Sequence, residues 1–232
     1  MNVPSDVRRT APSALGAFFS SRFSLLLVSF ILAFTLFPFL EGYVGISLLT
    51  DIYLSGILLA AIKAASDSKG TFVIALALAA PYILLKWGGK ILAVSFSWNL
   101  EEMFGALFVA YVLALIFMFI ARQQKVNRDV IMAAVCGYFL LGLMWAFIYF
   151  FVETVLPGSF QFVKNSSASN TNFIYFSFVT MTTVGYGDML PLSNAARSLA
   201  ILEAVMGQLY LAVTIARLVG IQSSQTRTGG DG

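Results

Sequence analysis

Between two apolar runs long enough to cross a bilayer lies a third that is not: "NFIYFSFVTMTT", Asn172 to Thr183. A crossing helix needs about 20 apolar residues. Twelve residues rise roughly 18 Å as a helix, about half the membrane. The chain must enter here and come back, because "DMLPLSN" follows and another full span then begins. That return puts non-helical backbone inside lipid, which offers it no hydrogen bonds. Such backbone persists only when buried in protein or lining a watery path. One short loop cannot shield itself on every side, but several copies around an axis can. The half-span therefore predicts a ring of subunits with the loops at its centre.

The remainder reads as a polytopic membrane protein. Hydrophobic residues make up 59% of the 232 and charged residues 11%, against about 25% charged in soluble domains. Six apolar spans are predicted: Phe23 to Leu40, Ile46 to Ala65, Thr71 to Trp87, Met103 to Ala121, Val130 to Val152 and Ala195 to Gly220. The half-span covers Thr171 to Thr182, with Asn170 or Thr171 as its cap. The first run is too long for a signal-peptide core and no small-residue cleavage site follows it. Pro38 and Pro81 predict kinks or ends in their helices. "NLEE", Asn99 to Glu102, has the form of a capping box. With the N-terminus inside, ten basic residues fall on the inner side and only Lys86, Lys90, Lys164 and Arg197 on the outer. The positive-inside rule then places both termini in the cytoplasm, and Trp87 and Trp98 at the outer interface. The net charge of +3 reflects those inner loops, not nucleic-acid binding. With Cys136 the one cysteine and no histidine, no intramolecular disulfide or Cys-based metal site can form. No nucleophile–base set or phosphate loop is present, so an enzyme is not expected.

The loop residues carry the chemistry. Gly185 and Gly187 tolerate positive φ and alternate with Val184 and Tyr186. Such alternation turns successive carbonyls to one side and side chains outward. Four strands of this kind would stack rings of carbonyl oxygens able to replace the hydration shell of a cation. The Thr183 hydroxyl adds the innermost ring. Tyr186 is expected to pack on the aromatic half-helix, with Phe173, Tyr175, Phe176 and Phe178 as candidate neighbours. The partially negative C-terminal end of that half-helix faces the axis and favours a cation.

"TVGYGD", Thr183 to Asp188, resembles the selectivity filter of tetrameric potassium channels letter for letter. "VTMTTVGYGD", Val179 to Asp188, resembles the voltage-gated and small bacterial branches, and the later "ARSLAILEAVMGQLYLAVTIARLVG" resembles small prokaryotic members without cytoplasmic domains. The resemblance covers Val130 to Gly220. It implies K⁺ at Thr183, Val184, Gly185 and Tyr186, a filter ending at Gly187, and no cofactor beyond those ions. It implies an all-α membrane protein of six transmembrane helices plus a re-entrant pore helix and filter loop, assembled as a homotetramer in the inner cell membrane. The expected parts are a cytoplasmic segment 1–22, a four-helix domain 23–121, a linker 122–129, a pore domain 130–221 and a disordered tail 222–232.

Gly207 falls where the family has its hinge glycine; close helix packing through a small residue is the other reading. Gln208, Leu211, Ile215 and Val219 share one helical stripe, which in the resembling channels lines the cavity and lower gate. Gln208 alternatively makes an interhelical hydrogen bond. "TIA", Thr214 to Ala216, replaces the Pro-Val-Pro kink of many animal voltage-gated channels. Glu203 is an acid within a span and thus a functional candidate. It points away from the cavity, and either braces the filter with Thr180 or Thr182 as hydroxyl partners or acts as a pH-sensitive gate. In the family, Asp188 bonds an aromatic on the pore helix, usually tryptophan; Tyr175 stands there. Asp51 and Lys86 either pair or sit separately at the outer interface.

Rival readings are a potassium-transporter subunit, disfavoured by the single full filter, and a modulatory subunit, disfavoured by its intact letters. Voltage sensing requires basic residues within the fourth helix, each contributing about 2.3 kcal/mol per 100 mV. Met103 to Ala121 contains no Lys or Arg. Gating-current recordings are expected to give a charge near zero; several elementary charges per channel would overturn this.

Overall fold

A computed structural model describes residues 21–40, 54–57, 60–62, 68–92, 100–162 and 170–228. Its helices are α1 (Ser24–Leu40), α2 (Lys69–Leu92), α3 (Leu100–Arg122), α4 (Arg128–Val155), α5 (Asn170–Met181) and α6 (Asn194–Thr228). Two short strands, β1 (Phe160–Gln161) and β2 (Leu190–Pro191), pair antiparallel. Among the described residues, α2, α3, α4 and α6 are long and apolar enough to cross a membrane. Helix α1 has 17 residues. Residues 54–57 and 60–62 are helical, but most of the expected second span lies outside the described residues, as do Asp51, Trp98, Asn99 and most of segment 1–22.

The elements follow the apolar runs, with instructive differences. Helix α2 runs through Pro81. Helix α6 continues to Thr228, so the expected disordered tail is helical over its first seven residues. Gln222 to Thr228 are polar yet contain no helix breaker; the first, Gly229, comes one residue later. The expected capping box of Asn99 and Glu102 lies partly outside the described residues, since Asn99 is not among them. Glu102 is buried, with Oε1 3.3 Å from Lys86 Nζ, and Glu101 lies 3.7 Å from the same ammonium. That pair joins the end of α2 to the start of α3.

Helix α4 is the spine, packed by α1, α3, α5 and α6. Its start is capped by Asn127, whose side chain accepts from the Val130 amide. Phe139 stacks on Phe30 of α1, and Phe34 meets Phe178 of α5 edge-on at 4.7 Å. The Tyr210 hydroxyl of α6 donates to the Ala134 carbonyl of α4 at 2.6 Å. Behind α5, Phe160 sits against Tyr149, Phe173 and Phe176 with centroids 5.1–5.5 Å apart. These edge-on contacts add about 0.5–1.5 kcal/mol each beyond area burial.

The Glu153 carboxylate in the last turn of α4 sets the position of Phe160. It accepts from the Gly158 amide at 2.9 Å and the Phe160 amide at 3.0 Å. Glu153→Ala removes both charge-assisted acceptors and is expected to cost about 2 kcal/mol. Thermal unfolding of the detergent-solubilised protein should show a lowered midpoint, with Glu153→Gln recovering part of the loss.

Candidate functional site

Helix α5 stops at Met181, and the manner of its stopping shapes everything after it. The last carbonyls of a helix lack intrahelical partners. Here the following residues supply them. The Thr183 amide donates to the Thr180 carbonyl at 2.9 Å, and the Val184 amide to the Val179 carbonyl at 3.0 Å. This pair of bonds, with a left-handed residue between, is a Schellman closure. The left-handed residue is Thr183, at φ 61°. Glycine usually takes that place, because a left-handed side-chain-bearing residue costs about 1–2 kcal/mol. The Gly185 amide adds a third bond, also to Val179, at 3.3 Å.

Positive φ then recurs at every second residue. Thr183, Gly185 and Gly187 have φ of 61°, 56° and 78°, while Val184 and Tyr186 between them do not. The sequence marks the two glycines as the residues suited to this. It gives no sign of Thr183, because the signal for a left-handed cap is glycine and none stands there.

The segment is exposed along its length in the single chain. Val184 is 51% and Tyr186 72% exposed. Tyr186 therefore does not bury its ring on its own α5. Phe173 and Phe176 face inward onto Phe160 and Tyr149 instead.

Downstream, the Asp188 carboxylate takes a short hydrogen bond from the Tyr175 hydroxyl at 2.5 Å, and its other oxygen accepts from the Met189 amide at 3.0 Å. Two residues later the β1–β2 ladder begins, pairing Gln161 with Leu190 and Phe160 with Pro191. The Leu192 amide donates to the Ser159 carbonyl at 2.7 Å. The loop is thus anchored at its start by α5 and at its end by the strand pair.

Glu203 is fully buried and joins three helices. Its Oε2 accepts from the Tyr149 hydroxyl of α4 at 2.5 Å. Its Oε1 lies 2.5 Å from the Ser177 hydroxyl of α5, which is also 2.7 Å from the Gly142 carbonyl of α4. These partners replace the expected Thr180 and Thr182. The Thr182 hydroxyl bonds back to the Phe178 carbonyl at 2.6 Å. Helical spacing explains the difference: Ser177 is on the buried face of α5, while Thr182 lies past its end. Tyr149 carried no sequence signal, being one aromatic among many in α4.

Gly207 sits against the end of α5. A Cβ there would lie 2.5 Å from Met181 Cγ and 2.8 Å from the Met181 carbonyl oxygen, so close packing requires this glycine. Gln208 Nε2 reaches the same carbonyl at 3.4 Å, a long interhelical contact, while the residue stays exposed. Leu211, Ile215 and Val219 are exposed on the same side of α6. Among the described residues, no cluster of acidic, Cys or His side chains is arranged to hold a metal ion.

Residues 137–222 match the model of a family described as "Ion channel". Over 62 residues, 27% of this chain, the sequence is 40% identical to the inward rectifier potassium channel Kirbac3.1 of Paramagnetospirillum magnetotacticum. The match spans 18% of that relative's length. No solved structure matches significantly. Both matches are thus to ion channels, one of them a potassium channel, and residues 137–222 hold most of α4, the α5 half-helix, the loop and most of α6.

The Glu203 cluster generates a sharp comparison. Glutamine at this position keeps an acceptor for Tyr149 and a polar group for Ser177, so Glu203→Gln is expected to assemble normally. Glu203→Ala leaves the Tyr149 hydroxyl buried without its acceptor and opens a hole, at about 3 kcal/mol. Thermal unfolding in detergent should separate the two variants; equal midpoints would remove the cluster's structural importance.

Proposed function

We propose that the protein is a potassium-selective channel that conducts K⁺ passively across the cell membrane as a homotetramer. The observation that carries this reading is the alternation of positive φ at Thr183, Gly185 and Gly187, directly after a half-length helix. Alternating backbone hand turns consecutive carbonyls to one side. Four such segments around an axis offer stacked oxygen rings at Thr183, Val184, Gly185 and Tyr186 for dehydrated K⁺. The exposed Val184 and Tyr186 side chains then find their packing on neighbouring subunits. The exposure of α6 supports the same arrangement: Ile201 and Val213, on different faces, are 68% and 63% exposed.

In this reading Tyr175, Asp188, Thr182 and Glu203 support the filter from behind and at its outer mouth. Gln208, Leu211, Ile215 and Val219 line the cavity and lower gate. Gly207 lets α6 approach the pore helix, and any hinge there must open against Met181. In this reading six spans leave both termini on one side of the membrane, and the excess of basic residues on that side makes it the cytoplasm. Because α3 holds no basic residue before Arg122, the channel is not conventionally voltage-gated.

The test is the reversal potential of the purified protein in a planar bilayer with K⁺ on one side and Na⁺ on the other. A reversal near the K⁺ equilibrium value, with block by barium, is expected. A non-selective current would mean that the carbonyl rings are not so arranged.

A further inference from the structure

The last turn of α3 is held from two sides. Arg217 of α6 donates Nε to the Ile120 carbonyl at 3.2 Å and a second guanidinium nitrogen to the Ala121 carbonyl. Both acceptors belong to the group of carbonyls that a helix end leaves without intrahelical partners. The helix dipole adds partial negative charge there, which suits a cation. From the other side, the guanidinium of Arg22, just before α1, lies 4.3 Å from the centroid of the Phe119 ring. The linker from α3 to α4 has only five residues, Gln123 to Asn127, and α3 packs along α4 of the same chain. The first helices thus lean on the pore helices of their own subunit.

Arg217 is two residues from both Ile215 and Val219. At about 100° per residue it projects from the side of α6 roughly opposite that stripe. We propose that Arg217 is a latch: it ties the lower half of the inner helix to the end of α3 and so couples the first four helices to the gate. The latch pulls α6 toward the periphery of the subunit, away from the side bearing Ile215 and Val219. It therefore favours the open pore. The inference rests on the channel reading for its gating consequence, but the tie itself has a readout that needs no current.

The experiment uses the full chain with Arg217→Ala and Arg217→Lys. Amide hydrogen exchange is read over 117–122 and 177–187. Single-channel recording follows in bilayers of neutral phosphatidylcholine, with and without anionic phosphatidylglycerol. In Arg217→Ala, exchange should quicken over 117–122 and stay unchanged over 177–187. Open probability should fall about tenfold, within the usual range of coupling between sites, with unitary conductance and reversal potential unaltered. Lysine keeps the charge but loses the planar fork, so Arg217→Lys should fall between the two. Unchanged exchange over 117–122 in Arg217→Ala would overturn the latch. So would a lysine variant equal to wild type with an alanine effect confined to anionic lipid, which would assign Arg217 to a lipid headgroup. A silent wild type would count against the channel reading, while the exchange comparison would still decide the tie.

Discussion

Lipid accepts no hydrogen bond from a stray amide and gives none to a stray carbonyl, and this constraint governs the whole loop. In the proposed arrangement α5 ends at mid-membrane, where its final carbonyls would meet a medium that cannot solvate them. The chain meets the problem with its own next residues: the amides of Thr183, Val184 and Gly185 turn back onto Thr180 and Val179. The left-handed backbone at Thr183 is the geometric requirement of that closure. Its hand sets the alternation that continues through Gly185 and Gly187. The residues that cap the half-helix are therefore the ones from which the proposed filter is built.

A loop so arranged must also be held in place, and polar contacts do this inside an apolar protein. Tyr149, Glu203 and Ser177 meet on three different helices. A buried polar cluster fixes geometry because any other packing leaves a group unsatisfied. Around it the Phe160, Phe173 and Phe176 rings fill space. Apolar packing alone tolerates sliding between helices; the hydroxyl and carboxylate contacts do not. The same division of labour recurs at the end of the loop, where Asp188 and Tyr175 meet, and where Arg217 meets the end of α3.

Much of this was legible in the residues because length and hydropathy act strongly in a membrane. The half-span, the long helices after residue 100 and the special glycines follow from lipid thickness and from backbone sterics. Partner choice was less legible. Glu203 announced itself as an acid in a span, yet Ser177 and Tyr149 are ordinary residues until the helices are placed. Thr183 concealed its backbone hand behind a side chain. Tyr186 was expected on an aromatic half-helix, and its own chain leaves the ring 72% exposed. Lys86 and Glu102 came together because the ends of α2 and α3 adjoin, a tertiary fact with no local signal.

The loop's two anchors also limit what its length can be. Its first amides are fixed to α5, and its exit is stitched by the ladder of Gln161 with Leu190 and Phe160 with Pro191. Between Val184 and Leu190 the chain has no slack to absorb an inserted or deleted residue. With Thr183 fixed as left-handed, a residue added or lost between Val184 and Tyr186 would shift the alternation by one and demand positive φ of the tyrosine. The chain between these anchors is thus constrained in number as strictly as in kind.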